Sequence, residues 1–328
     1  MKATWSKSRQ SGYTNGAITS SCVTIFRLLR VPNLFILIAT IVLVTKRIVH
    51  PPLIEHGIAP LMTNKEYYLF LFIVACLGAG GYLHNDMRDY ETDIINEKRG
   101  FIKPGISNKI AYLTYIFLTI GPLLPLYALS MEVDKPLWII FYLVIAFLLW
   151  TYNVRFKQVA VIGNIIVAGL CGFAILIPYF IESQAMIQLG LLNSLAVEEI
   201  HRTTWSFACF GFSANLIREI VKDVEDLEGD KQIGYKTLPI LMGVPVTKRI
   251  IVFLSVLFTI MVGSWMIVSF SLHSPWGYLL IFSLLIPAIL LSYLAIKTES
   301  VNDYRRLSFG WKINFLLGIF SLFVISLS

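Results

Sequence analysis

Charge is what this sequence has little of. Of its 328 residues 14% are charged, where a soluble domain carries roughly a quarter, and 56% are hydrophobic. A chain this apolar lacks the polar surface an ordinary soluble enzyme needs. Cysteine is scarce as well. Cys22, Cys76, Cys171 and Cys209 show no paired spacing and three of them fall in apolar stretches, which excludes a disulfide framework or thiolate metal site and leaves small core residues. Long polar linkers are missing, so the chain is not a string of separate domains. The first thirty residues contain no acid. Their Ser, Thr, Lys and Arg resemble the composition of an organellar transit peptide, but a basic cytoplasmic tail explains the same residues and is the reading adopted. No cleavable secretory signal is visible.

What is present is apolar sequence in blocks, with a mean hydropathy of +0.72. The blocks approach the ~20 residues that a helix needs to cross the hydrocarbon layer. They predict nine spans, at 31–48, 66–84, 110–130, 136–152, 160–181, 204–221, 250–270, 276–296 and 307–327. Strands of a closed barrel would alternate apolar and polar residues, and these runs do not. The expected architecture is all-α: a polytopic membrane protein with nine transmembrane helices around a central cavity and a cytoplasmic aspartate-rich cap. Residues 1–30 form the basic tail and 31–328 the helical domain.

The net charge of +7 is arranged by side. With nine alternating crossings, 22 of the 27 Lys and Arg fall on the side of the N-terminus, and only Lys46, Arg47, Lys65, Lys135 and Arg202 on the other. The positive-inside rule then makes the N-terminus cytoplasmic, in a multi-pass protein of the cell (inner) membrane. The basic balance is thus a signal of topology, and nucleic acid is not an expected partner. Segment 182–203, with Glu182, Glu198, Glu199, His201 and Arg202, reads as a solvated loop on the far side, with a lid or interfacial helix as the alternative.

Two cytoplasmic stretches align without a gap. Asp86-Met-Arg-Asp89-Tyr-Glu91-Thr-Asp93 and Asp223-Val-Glu-Asp226-Leu-Glu228-Gly-Asp230 both read D-x-x-D-x-E-x-D, each at the end of a predicted span. One acidic octet is often a solvated helix end; two in corresponding positions point to a shared task. On a continuous helix, offsets 0, 3 and 7 fall within roughly 60° of one face. Three carboxylates would then share a side near a helix C-terminus, where like charges and the helix dipole both disfavour them. Cations between the two stripes would relieve that repulsion. All-oxygen ligands suit Mg²⁺, which keeps several waters and bridges carboxylates to phosphates. Glu91 and Glu228, five residues after the first aspartate, point away from that face.

Basic residues surround the octets: Arg88, Lys98, Arg99, Lys103, Arg218, Lys222, Lys231 and Lys236. Some of them are expected to hold phosphate through charge-assisted hydrogen bonds, and others only set topology. The third cytoplasmic turn adds Tyr152, Asn153, Arg155 and Lys157. Asn33 stands just inside the first span, where an amide needs a partner. Tyr82, Tyr152, Phe210 and Phe212 are candidates for an aromatic wall.

The run Asn85-Asp86-x-x-Asp89-x-x-x-Asp93 followed by Arg99 resembles the first aspartate motif of the UbiA prenyltransferase superfamily. Arg218-Glu219-x-x-Lys222-Asp223-x-x-Asp226-x-x-x-Asp230, then Gly234-Tyr-Lys236-Thr237-Leu238-Pro239, resembles the second. Asn33, the helix count, and Tyr152 through Lys157 before Gly163-Asn164 fit the same pattern. The resemblance implies that the six aspartates bind Mg²⁺ and a prenyl diphosphate. It also implies catalytic roles for Tyr152 and Lys157, with Arg155 a rival to Lys157, and substrate contacts for Asn33, Asn85, Arg99, Lys103, Arg155, Arg218 and Lys222.

The implied reaction is ionisation of an allylic diphosphate and capture of the cation by a lipophilic acceptor. The second motif most resembles that of transferases acting on geranylgeranylglyceryl phosphate, with geranylgeranyl diphosphate as donor, in ether-lipid synthesis. Alternatives are prenylation of an aromatic acid or quinone precursor, a membrane terpene cyclase and, in another class, a cation transporter. Transporter sites lie near the bilayer midplane, whereas these acids lie at helix ends.

Overall fold

The computed structural model describes residues 29–90, 108–269 and 275–325. Asp93, Arg99, Lys103, Glu91, Lys98 and Cys22 lie outside the described residues. A helix lies in each of the nine apolar stretches, and the described part of the chain is all-helical. Seven of these helices are long and apolar enough to cross a membrane: α1 (Val31–Glu55), α2 (Asn64–Arg88), α3 (Lys109–Glu132), α4 (Leu137–Val154), α5 (Ile162–Ile181), α10 (Val244–Ser269) and α11 (Gly277–Lys297). With the family assignment reached below, they make the chain an integral membrane protein. Between them come α6 (Ser183–Leu192), α7 (Ser194–Glu225), α8 (Leu227–Ile233) and α9 (Leu238–Met242); α12 (Val301–Ile325) follows α11. Helices α7 and α12 have 32 and 25 residues, long enough to span, and each carries charged residues within its length. Of these, Arg218, Glu219, Lys222, Asp223, Glu225 and Lys312 line the site described below.

The outer surface is apolar. Leu124, Phe117, Phe35 and Ile267 are each at least 70% exposed, an arrangement that lipid tolerates and water does not. With little hydrophobic drive between helices in lipid, close packing falls to small residues. A Cβ added at Gly172 of α5 would sit 2.9 Å from the Ala208 carbonyl oxygen of α7, so this glycine is what lets the two backbones approach. Around that seam α1, α5, α7, α10, α11 and α12 share one buried core, and α1 to α4 share a second.

Segment 182–203 is helical, not a solvated loop. Glu182 is buried, facing His50 Nε2 at 3.1 Å and accepting from the Leu61 amide at 3.0 Å, while Glu198, Glu199, His201 and Arg202 are exposed. Asn193 starts α7 by accepting the Ala196 amide, a capping bond that breaks the chain cleanly from α6. Cys76 and Cys171 are half-buried, but Cys209 is exposed on the apolar outside and is no core residue.

Candidate active site

Both aspartate motifs interrupt their helices. Helix α2 stops at Arg88 and α7 at Glu225, so the second aspartate of each motif is the C-cap, with φ −84°, ψ −4° at Asp89 and φ −96°, ψ 4° at Asp226. The expected single stripe on one continuous helix is therefore corrected. A carboxylate in the last turn opposes the unpaired carbonyl groups there, and the chain turns instead of continuing that alignment. After Asp226 the chain resumes as α8, which carries Asp230. That helix ends on Gly234 at φ 84°, with the Tyr235 amide donating to the Asp230 carbonyl at 2.8 Å and Gly234 to Lys231 at 3.3 Å. This is the paired C-terminal bonding for which glycine in the left-handed region is suited.

The two motifs open on one cavity of about 1620 Å³, lined by Asn85 and Asp89 of the first and by Asp223, Asp226 and Asp230 of the second. Asp86 is not on its surface. It is buried and salt-bridged to Arg30, whose guanidinium also lies 5.5 Å over the Tyr82 ring. Arg30 sits in the left-handed region, φ 46°, just before α1 starts at Val31-Pro32. Burial works against its charge, but Asp86 and Asp89 outweigh that, and the guanidinium is held protonated above its ordinary range.

Lys157 salt-bridges Asp89, whose Oδ2 also accepts from Asn85 Nδ2 at 2.7 Å; Lys157 lies 3.4 Å from Asn85 Oδ1. The turn that carries Lys157 is clamped to the segment after the second motif. The Lys236 amide donates to the Gln158 carbonyl at 2.9 Å, and the Ala160 amide to the Lys236 carbonyl at 2.8 Å. At Gly163 a Cβ would stand 2.7 Å from the Phe156 carbonyl oxygen, so only glycine lets α5 start beneath this turn. The first motif's lysine is thereby positioned by the second motif's loop.

On the other wall, Arg218 donates to Glu219 at 2.8 Å, and Lys222 shares the same carboxylate at 3.4 Å. Asn164 donates to Asp223 at 3.0 Å. Tyr82 and Tyr152 line the cavity; Phe210 instead packs edge-on to Phe258 and Trp265 in the core, and Phe212 does not line the cavity. Arg155, the rival to Lys157, is exposed and off the cavity, and Glu228 is exposed too. Asn33 lines the cavity and accepts from Lys312 at 3.3 Å.

Four participants escaped the sequence-based site: Arg30, Asn164, Glu219 and Lys312. Lys312 had a signal, a lone cation inside an apolar block. Tallying it among the basic residues of the cytoplasmic side hid it, although it lies eleven residues inside α12, which begins at Val301.

The donors present suit a hard divalent cation. Asp89 Oδ1 is buried with no hydrogen-bond partner. Among the described residues no three acids converge on one point. A cation here would thus take carboxylates in ones and twos and fill its remaining positions with water and phosphate oxygens, which is the habit of Mg²⁺.

Known proteins resemble this chain in sequence and fold. Digeranylgeranylglyceryl phosphate synthase of Thermococcus kodakarensis is 28% identical over 266 residues, 79% of this chain and 85% of that one. The enzyme of the same name from Thermococcus sibiricus is 30% identical over 272 residues, covering 82% and 87%. A solved structure reported for digeranylgeranylglyceryl phosphate synthase in membranes superposes with a TM-score of 0.62 at 22% identity, over 94% of this chain and 99% of that one. A UbiA homologue from Archaeoglobus fulgidus bound to DMAPP and Mg²⁺ superposes with 0.56 at 18% identity, over 93% and 100%. The UbiA prenyltransferase family pattern matches residues 22–316, nearly the whole chain, and this membrane-embedded prenyltransferase belongs to that family.

Proposed function

We propose that the enzyme transfers a geranylgeranyl group from geranylgeranyl diphosphate to geranylgeranylglyceryl phosphate, a step of ether-lipid synthesis, with Mg²⁺ as cofactor. The relatives named digeranylgeranylglyceryl phosphate synthases, similar over about four-fifths of the chain, carry this reading. The cavity agrees with it. It runs from the aspartates along α4 to Lys135 and Trp138, about 27 Å by the length of that 18-residue helix. It also exceeds the roughly 300–1000 Å³ of sites that hold one small ligand. Two long substrates need that room.

In this reading Asp86, Asp89, Asp93, Asp223, Asp226 and Asp230 form the cation and diphosphate site, with Asp86 acting through Arg30. Bound Mg²⁺ would neutralise charge on the departing diphosphate. Lys157, Arg218 and Lys222 would donate to its oxygens, together with Arg99 and Lys103. The allylic C1–O bond breaks and its electron pair leaves with the diphosphate. Tyr82 and Tyr152, which line the cavity, would stabilise the cation left behind, and the apolar length of the cavity would keep water out. The acceptor hydroxyl oxygen then bonds to C1 and its proton passes to a rim carboxylate or water.

Helices α7 and α12 complete nine spans, the aspartate rim faces the cytoplasm with the basic N-terminal tail of residues 1–30, and the domain of residues 31–328 lies in the cell membrane. The test is incubation of purified enzyme with labelled geranylgeranyl diphosphate, Mg²⁺ and a panel of acceptors. The reading expects digeranylgeranylglyceryl phosphate as the main product. A prenylated aromatic acid, or a cyclised hydrocarbon formed without acceptor, would overturn it.

A further inference from the structure

Among the described residues, the cation Lys312 lines the cavity near the aspartates without an acidic partner. Lys312 stands eleven residues inside α12, about 16 Å along the helix from Val301. Its hydrogen bond goes to a neutral amide oxygen, Oδ1 of Asn33. The other cations lining this end of the cavity have carboxylates, among the described residues: Asp89 for Lys157, Asp86 for Arg30, and Glu219 for both Arg218 and Lys222. Lys312 also shares its depth with Arg218. Helices α7 and α12 pack side by side with Arg305 Nε 3.5 Å from Glu225. Arg218 and Lys312 each lie seven residues deeper than that contact, about 10 Å below it. An ionisable group so far along a spanning helix is costly and is kept where it faces a cavity and meets a counter-charge.

We infer that Lys312, held by Asn33, is an anion subsite for the headgroup of the acceptor, separate from the aspartate rim that takes the donor. The rim is dominated by carboxylates and takes a diphosphate only with cations between them. Among the described residues Lys312 pairs with no carboxylate, so it takes an anion directly. It sits deeper, where the apolar length of the cavity begins, which suits a lipid with one charged end. An acceptor anchored there by its charge presents a neighbouring hydroxyl upward to the allylic carbon at the rim. The inference rests on prenyl transfer as the reaction and narrows the acceptor to an anionic lipid.

The donor diphosphate is the other possible anion, and the experiment separates the two. Wild type, Lys312→Gln and Lys312→Arg are compared with geranylgeranylglyceryl phosphate and with its uncharged analogue geranylgeranylglycerol. One arm measures binding of each lipid to purified protein without donor or Mg²⁺; the other measures KM and kcat for acceptor and donor. Lys312→Gln is expected to weaken binding of the phosphate lipid and raise its KM about tenfold, as loss of one charge-assisted hydrogen bond does. The neutral analogue and the donor KM should move less than twofold, and Lys312→Arg should restore most of the difference. The unchanged donor KM also reports that the variant is folded. Equal losses with both lipids, or a rise confined to the donor KM, would overturn the inference. If wild type uses a different acceptor, the ether-lipid assignment falls alone: the same comparison, made with that acceptor and its uncharged analogue, decides the subsite. A neutral preferred acceptor would overturn it.

Discussion

Replacing Asp89 with Asn tests whether the salt bridge to Lys157 is a strut or part of a charged site. The substitution keeps shape and the Asn85 contact but removes the charge that Lys157 meets. Breaking a fully buried pair costs about 3–5 kcal/mol. Here the side chains of Asp89 and Lys157 are 11% and 26% exposed, so Lys157 can turn to water and recover part of that. The expected loss is about 1–2 kcal/mol for Asp89→Asn and about the same for Lys157→Gln. Because both remove one interaction, the double variant should lose little more than either single, a coupling of about 1 kcal/mol. Denaturant unfolding of the detergent-solubilised protein measures all three. Activity should behave differently. Asp89 also offers the buried, unpartnered Oδ1 to a cation, so Asp89→Asn should lower kcat/KM by 10³-fold or more and raise the Mg²⁺ requirement. Lys157→Gln, which keeps the carboxylate, should lower it about 10–100-fold without that rise. A stability loss above 4 kcal/mol with activity within threefold of wild type would refute the reasoning and make the pair a strut.

Asp230 is buried on the cavity and Glu228 is exposed, so Asp230→Asn should lose most activity and Glu228→Gln almost none. Comparable losses in steady-state assays would remove the distinction. Gly172→Ala pushes a Cβ against the Ala208 carbonyl at 2.9 Å and Phe212 at 3.2 Å, and since the first is backbone the seam must part. About 1–3 kcal/mol of stability should be lost, read from the unfolding midpoint. Cysteines placed at the exposed positions Lys231 and Glu198 should label from opposite sides of the membrane, Lys231 from the cytoplasm. Labelling from one side would break the nine-span topology.

The amphipathic ambiguity of α7 and α12 shows where sequence reading loses force. Both were expected as spans from their apolar blocks, at 204–221 and 307–327, yet each helix is longer, from Ser194 and Val301, and takes in charged residues assigned to loops. Hydropathy reports the average solvent of a segment, and a helix that faces lipid on one side and a charged cavity on the other gives a mixed signal. Arg305 fell on the loop side of that boundary for this reason.

By itself the sequence determined what local chemistry can carry. Apolar blocks of spanning length dictated an all-helical membrane protein, because backbone groups in lipid must be bonded within the segment. The repeated octet pointed to both halves of the proposed site, because runs of carboxylates at helix ends are disfavoured unless cations offset them. Only the tertiary structure decided which charges meet. Asp86 turns away from the cavity to Arg30, fifty-six residues earlier in the chain; Lys157 answers Asp89 from sixty-eight residues on; and Lys312 reaches Asn33 across 279. Such pairings depend on where helices lie beside one another, on clearances of a few tenths of an ångström at Gly163 and Gly172, and on the turn each motif makes at its second aspartate. No pattern within a single helix contains that information.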